Sequence, residues 1–171
     1  GEDAAWLDQV DQLELTGDAT MSLSQFQHFA GQMTRAGSAP SAMITLTMVS
    51  GDLSTDDLSW VETVNVSGTV TFAADQFETL LDSESLNLND NQVFLAEVSG
   101  TLSLTDDQLA PVTALTLSGD LALTQAQFTA LVANEAEFFK DDHALRVSAS
   151  GELGEDAAWL DQVDQLELTG D

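Results

Sequence analysis

The chain has 171 residues, of which 43% are hydrophobic, and its 30 acidic and three basic residues give a formal net charge of −27. The hydrophobic content excludes an acidic disordered tail, because disorder needs low hydrophobicity as well as high charge. The shortage of Lys and Arg argues against binding to nucleic acid. We also expect no membrane insertion, because no apolar run approaches the roughly 20 residues of a transmembrane helix. Cysteine is absent, which excludes disulfides and thiolate metal sites.

The two ends of the chain carry the same sequence. Residues 1–18, GEDAAWLDQVDQLELTGD, recur unchanged at 154–171, which is 153 positions later. A shorter period lies inside this one, because glycines flanked by alternating apolar residues recur every 51 positions, and a second glycine series falls between them. The first series is Gly17, Gly68, Gly119 and Gly170, and the second is Gly51, Gly100 and Gly151. Repeats of this length are typical of solenoids, propellers and arrays.

These periods divide the chain into units. We expect one continuous repeat array over residues 1–171, with approximate units at 1–50, 51–99 and 100–150, and with 151–171 starting the next unit. Each unit holds two glycine segments, so the expected order is strand, short helix, strand, and helix plus loop. In such arrays each repeat contacts only its neighbours.

The glycine segments predict the strands. The segment at 13–21 comes first, the segment around Gly51 follows, and the pattern is clearest at 115–123, where leucines alternate with Ser, Thr and Asp. This alternation is typical of a strand with one buried face. A glycine at a fixed place in every strand indicates a shared bend or the close approach of a neighbouring backbone or helix.

A helix signature follows each strand of the first series. It is a Gln-Phe pair with apolar residues three and four positions after the aromatic ring, and its phenylalanines are Phe26, Phe77 and Phe128. Ser22 and Thr124, three residues before the glutamine, predict a capping box, whereas Ala73 in the middle copy lacks the hydroxyl. Shorter helices with acidic first turns are expected after the other strands, near Thr55, Thr105 and Gly154.

Together these elements predict an α/β repeat protein. We expect a strand-rich, solenoid-like array of units of about 51 residues, in which short helices cover one face of the sheet; a β-helix with short helical corners is the alternative. The strand direction stays open. The 17-residue step from Gly51 to Gly68 is too short to return the chain to the start of a straight parallel neighbour. The strand therefore bends at its glycine, or the two strands run antiparallel.

The sequence predicts no catalytic and no cofactor-binding residues, and hence no enzyme. His28 and His143 occupy unrelated repeat positions without a second histidine at metal-ligand spacing, and neither a nucleophile elbow nor a phosphate-binding glycine loop occurs. One segment, 82–91, is rich in the hard oxygen ligands that Ca²⁺ prefers. Its candidate calcium ligands are Asp82, Glu84, Asn89 and Asp90, with solvated turn residues as the alternative explanation.

The period and the charge together indicate a structural role. We expect a segment of a long secreted protein that assembles into an extracellular filament, a tubular appendage or a surface coat, with copies of itself as partners. The alternative is the spacer stalk of a giant acidic adhesin at the cell surface. An extracellular location fits, because salt and divalent cations there would screen the mutual repulsion of the carboxylates.

Overall fold

The structure is a computed structural model that describes residues 10–88, 92–150 and 158–169. Gly151, Gly170, Asn89 and Asp90 lie outside these ranges. The strands are β1 (Leu13–Leu15), β2 (Ala19–Ser22), β3 (Met33–Arg35), β4 (Ile44–Asp52), β5 (Val61–Ala73), β6 (Leu86–Asn87), β7 (Val93–Thr101), β8 (Val112–Thr124), β9 (Glu137–Phe139), β10 (Leu145–Ala149) and β11 (Gln165–Leu168). The helices are α1 (Leu23–His28), α2 (Ala74–Asp82), α3 (Asp106–Leu109) and α4 (Gln125–Ala133), with 3₁₀ turns at Leu58–Trp60 and Ala158–Gln162.

Nine of the strands form one open sheet. Their order is β11-β10-β8-β7-β5-β4-β2, with β6 also paired to β5 and β9 to β8, while β1 and β3 form a separate pair. Every pairing among the described strands is parallel, so the antiparallel alternative is wrong. The fold is thus strand-rich, with a parallel sheet that does not close into a barrel and a few short helices.

The short connection between β4 and β5 is accommodated by irregular pairing at the middle of both strands. The Cα partner pairs at the middle are Leu46 with Val64, Val49 with Val66, and Gly51 with Val70, and a further shift lies at the start, between Ile44 and Thr45. The surplus residue lies on β4 between Leu46 and Val49, and the surplus residues lie on β5 at the other two shifts, so bulges on the two strands offset each other only in part. The irregular pairing uses left-handed backbone at Met48, with φ of 52°, and a φ of 136° at Gly51.

The pairing of β7 with β8 repeats the pairing of β4 with β5. Each Cα partner pair recurs 49 positions later in the first strand (Ile44 to Val93) and 51 positions later in the second strand (Val61 to Val112). The register shifts recur as well, with Glu97 at φ 54° in the place of Met48. Two stretches of different sequence therefore adopt the same irregular pairing.

The core lies between the apolar face of the sheet and the helices. Side chains that alternate along β4, β5, β7 and β8 are buried, and the residues between them are mostly Ser, Thr, Asn or acidic and are exposed or half-buried. The helix phenylalanines Phe26, Phe77 and Phe128 are at most 1% exposed. The rings of Phe77 and Phe72 lie 5.9 Å apart between centroids, so α2 packs against the buried face of β5.

The predicted capping boxes are present at the first and last helices of this type. The Ser22 and Thr124 hydroxyls accept hydrogen bonds from the backbone N–H of Gln25 and Gln127, and both glutamine side chains accept a bond from the cap N–H in return. At the start of α2 only one of these two bonds is present, in which the Ala73 N–H donates to the side-chain oxygen of Gln76. In place of the missing hydroxyl, the Asp75 Oδ1 accepts the backbone N–H of Gln76 at 2.9 Å.

We predict that Ala73→Thr stabilises the protein. The backbone at Ala73 (φ −68°, ψ 150°) nearly matches that at Thr124 (φ −73°, ψ 160°), so a threonine hydroxyl can take over the N–H of Gln76 from the Asp75 carboxylate. The gain in free energy of unfolding should be smaller than the usual value of about 1 kcal/mol for such a cap, because this N–H already has an acceptor. Urea unfolding of Ala73→Thr beside the reverse change Thr124→Ala checks this; equal stability of Ala73→Thr and wild type would contradict it.

The glycines of the long strands lie against serines of the neighbouring strand. A Cβ at Gly68 would lie 2.7 Å from the Ser50 Oγ, and one at Gly119 would lie 3.0 Å from the Ser99 Cβ. A close approach is thus present at both positions, but the neighbour is a serine side chain and not the backbone or helix that the sequence predicted. At Gly17 no atom lies within 4 Å of such a Cβ.

We predict that Gly68→Ala destabilises the protein whereas Gly17→Ala does not. The added methyl group at position 68 overlaps the Ser50 side chain at the paired bulges, and relieving such overpacking typically costs about 1–3 kcal/mol. Thermal unfolding of both variants measures the difference. The second change Ser50→Gly should restore much of the lost stability in Gly68→Ala, and a failure of this rescue would contradict the steric explanation.

Candidate functional site

The two edges of the sheet are the candidate site of this chain. An interior strand such as β5 pairs with β4 on one side and with β6 and β7 on the other. Among the described strands, β2 pairs with β4 alone and β11 pairs with β10 alone. Each edge presents unpaired backbone N–H and C=O groups, which form a template for pairing with another chain.

Each of the two duplicated end segments has a strand partner on one side only, and the paired side differs between them. Residues 12–15 and 165–168 share the sequence QLEL, yet β1 pairs with β3 whereas β11 pairs with β10. In the interior, Val64 of β5 pairs with Leu46 of β4 on one side and with Leu86 of β6 on the other. Each end segment thus has the partner that the other one lacks.

Burial follows from these partners. Leu15 is 4% exposed and belongs to the core, whereas Leu168, the same residue of the duplicated segment, is 66% exposed. The difference lies in what covers each leucine, because β3 lies beside β1 and no described strand lies on the outer side of β11. An exposed leucine whose duplicate is buried marks a place where further chain could pack.

Two of the three basic residues lie near the β11 edge. The Lys140 Nζ lies 2.9 Å from the Asp164 Oδ2, which also accepts the backbone N–H of Leu145 at 2.8 Å. The Arg146 Nη2 lies 2.8 Å from the Asp120 Oδ2. Both ion pairs are substantially exposed, so they fix local geometry more than they add stability.

Both carboxylates are held in their charged form. The pKa of Asp164 lies below its ordinary value, chiefly because the backbone N–H of Leu145 donates to the carboxylate and then because Lys140 does. The pKa of Asp120 is lowered first by the backbone N–H of Ala144 and then by Arg146 and His143. Hydrogen bonds and positive charges favour the ionised form in this way.

The calcium candidates are only partly described. Asp82 is the last residue of α2, and its Oδ1 accepts a hydrogen bond from the Gln108 Nε2 at 3.3 Å. Glu84 is exposed and has left-handed backbone with φ of 54°. Asn89 and Asp90 lie outside the described residues. Over the ranges that the structure describes, no three His, Cys or carboxylate side chains are grouped so that they could hold a metal ion, and calcium binding stays a prediction.

The histidines occupy two unrelated settings. His28 ends α1, and its ring meets Phe29 edge-on at 4.8 Å between centroids. His143 follows β9, and its backbone N–H donates to the Lys140 carbonyl at 2.8 Å. A groove of about 360 Å³ between the start of α2 and the end of β7 brings together Asp75, Glu78 and Glu97. The groove offers acidic and hydroxyl groups without a histidine or lysine.

Comparison with family models, with curated proteins and with solved structures gives no match to this chain. Within the described ranges, none of the helices has the length and hydropathy that crossing a bilayer requires. Sequence reasoning found the repeated glycines and phenylalanines but missed the edge pair Lys140 and Asp164. No local pattern signalled this contact, because Lys140 lies outside the duplicated segments and 24 positions before Asp164.

We predict that Asp164→Ala lowers stability at neutral pH and that this effect disappears in acid. A carboxylate whose pKa is lower in the folded state adds stability above its unfolded pKa, here ordinarily 3.8, and loses it as the pH falls through the lower folded pKa. Urea unfolding at pH values from neutral to about 2 should show the difference from wild type shrinking below about pH 5. Asp161→Ala, which removes a nearby charge, is the matched control. An effect of equal size at all pH values would contradict the role of ionisation.

Proposed function

We propose that this chain is a structural segment of a long secreted protein and that its units of about 51 residues form a solenoid-like array. The observation that supports this best is the recurrence of one irregular pairing register in β4–β5 and in β7–β8. In a single domain without repeats, nothing would require the same irregular pairing to recur at matching places. Stacking of equivalent units explains the recurrence, because each unit then makes the same contacts with its neighbours.

The partners of equivalent strands support the same proposal. Val64 pairs with Leu46 and Leu86, and Leu115, which is 51 positions later, pairs with Leu95 and Phe138. The approximate units 1–50, 51–99 and 100–150 would then be related by one operation. Each added unit would extend the sheet sideways and leave an open edge again, so the array has no intrinsic end.

We infer that the array assembles into an extracellular filament, a tubular appendage or a surface coat. The net charge of −27 opposes contact between chains at low ionic strength. Salt at about 1 M shortens the screening length to about 3 Å, and divalent cations would act at lower concentrations. A saline exterior that contains Ca²⁺ or Mg²⁺ would therefore permit assembly that dilute buffer prevents.

The spacer stalk of an adhesin is the second candidate, and the same charge favours it. The chain has 30 acidic residues and only three basic residues that could pair with them. Most of the negative charge is therefore unpaired, and chains that meet side by side repel each other. A stalk needs length without such lateral contact. The two functions therefore differ in whether screened chains associate.

We predict that the chain is monomeric in dilute buffer with EDTA and forms elongated assemblies in Ca²⁺ or Mg²⁺. Screening removes the repulsion, and the open edges then pair. Sedimentation velocity measures the association, and electron microscopy of the same samples shows its form. NaCl of matched ionic strength is the control, because equal assembly in NaCl would assign the effect to screening and a larger effect of Ca²⁺ to bound ions.

Chains that stay monomeric in every one of these solutions would contradict a filament and favour the stalk. Compact aggregates without a preferred direction would contradict both functions, because each requires an array that grows along one axis.

A further inference from the structure

We propose that a second copy of this chain docks on β10 by strand exchange, with its residues 12–15 in the place of residues 165–168. This inference rests on the proposed function, since it specifies the contact through which copies would join. The occupant is therefore the N-terminal edge of another copy. Its docking site is the side of β10 that β11 covers within one chain.

The register of the new contact is already present in the chain. In the pairing of β10 with β11, Arg146 faces Gln165, Val147 faces Leu166, Ser148 faces Glu167 and Ala149 faces Leu168. Residues 12–15 have the same sequence as residues 165–168. An incoming copy would make the same backbone hydrogen bonds and the same side-chain pairs, so the exchange loses no contact of this strand.

Asp11, which directly precedes residues 12–15, could also make the contacts that Asp164 makes within one chain. Asp164 accepts hydrogen bonds from Lys140 and from the backbone N–H of Leu145. Asp11 is the same residue of the duplicated segment and is exposed in its own chain. In the docked copy Asp11 would accept both bonds, and Lys140 would keep a carboxylate partner.

Gly17 supplies an independent argument. Gly68 and Gly119 lie against Ser50 and Ser99 of the neighbouring strand, whereas nothing in its own chain lies within 4 Å of a Cβ on Gly17. Ser150 is the next serine of this series, since each of the three precedes a second-series glycine. Docking would bring Gly17 of the incoming copy against Ser150, and the absence of a side chain at Gly17 would then serve the contact.

The strand partners give the exchange its direction. The strand that leaves carries Leu168, which is already 66% exposed, and it gives up its one pairing, with β10. The strand that arrives keeps β3 on its other side, so it would have neighbours on both sides, as Val64 of β5 has in Leu46 and Leu86. The contact joins unlike edges, so it repeats from copy to copy and builds a fibre unless the rotation closes a ring.

A disulfide crosslink between introduced cysteines tests the contact. Because the chain has no native cysteine, only the introduced residues can form it. In the docked pair Glu14 of one copy faces Ser148 of the next, at the spacing of about 4.8 Å between neighbouring strands that a disulfide tolerates. The test variant is Glu14→Cys with Ser148→Cys, in the full chain. The matched control is Ser148→Cys with Glu167→Cys, because Glu167 is the duplicate of Glu14 and faces Ser148 within one chain.

Oxidation under the assembly conditions should shift Glu14→Cys/Ser148→Cys from a monomer band to a ladder on a non-reducing gel, with peptide mapping that joins positions 14 and 148. The control should form its disulfide within one chain, stay monomeric and no longer assemble. Circular dichroism of both reduced variants checks that they fold like wild type.

The remaining outcomes would overturn the docking proposal. If the test variant folds and stays monomeric while wild type assembles, copies join by another contact, and the proposed function stands. If wild type stays monomeric too, both the docking and the filament are contradicted. If the control forms as long a ladder as the test variant, the crosslinks report collision and the exchange is wrong.

Discussion

The fold depends on one constraint, the return of the chain to a parallel neighbour through a short connection. Residues 53–60 must lead from the end of β4 back to the start of β5. Straight strands of this length would leave too large a gap for eight residues that include a 3₁₀ turn. The bulges on both strands, which generally bend the strand that carries them, make the pairing irregular here, and Gly68 allows Ser50 to approach at this place. The glycines are therefore required by chain geometry before they serve any function.

The open edges follow from this arrangement. Because each long strand is bent and pairs with different strands along its two halves, the sheet grows obliquely, and β5 meets both β6 and β7 on one side. Among the described strands, the outermost ones pair on one side only. A closed barrel would satisfy the remaining backbone groups, but the order from β2 to β11 does not close. The described part of the sheet therefore has two sides, at β2 and at β11, where backbone N–H and C=O groups have no strand partner.

How much the sequence predicted depends on how local the deciding interactions are. The capping boxes at Ser22 and Thr124 involve residues three positions apart, and the sequence located them. The strand faces followed from alternation, and the close approach at Gly68 followed from its recurrence. Strand direction did not follow, because it depends on the bulges near Met48 and Glu97, neither of which has the residue type expected for left-handed backbone. The edge contact of Lys140 with Asp164 spans 24 positions and was equally hidden.

Charge sets the conditions under which two edges could meet. The N-terminal edge carries Asp11, Glu14 and Asp18, and the β11 edge carries the duplicates of the first two, Asp164 and Glu167. The basic residues do not reverse the sign of the β11 edge, because Lys140 is paired with Asp164 and Arg146 with Asp120. The third basic residue, Arg35, lies 3.8 Å above the ring of Trp60 and donates to the Ala42 carbonyl, so its charge is directed into its own chain. Any two edges therefore repel each other at low ionic strength, and contact between them would need screening. The proposed docking would be distinguished by one ion pair, in which Asp11 of the incoming copy replaces Asp164 beside Lys140, and not by the net charge of either edge.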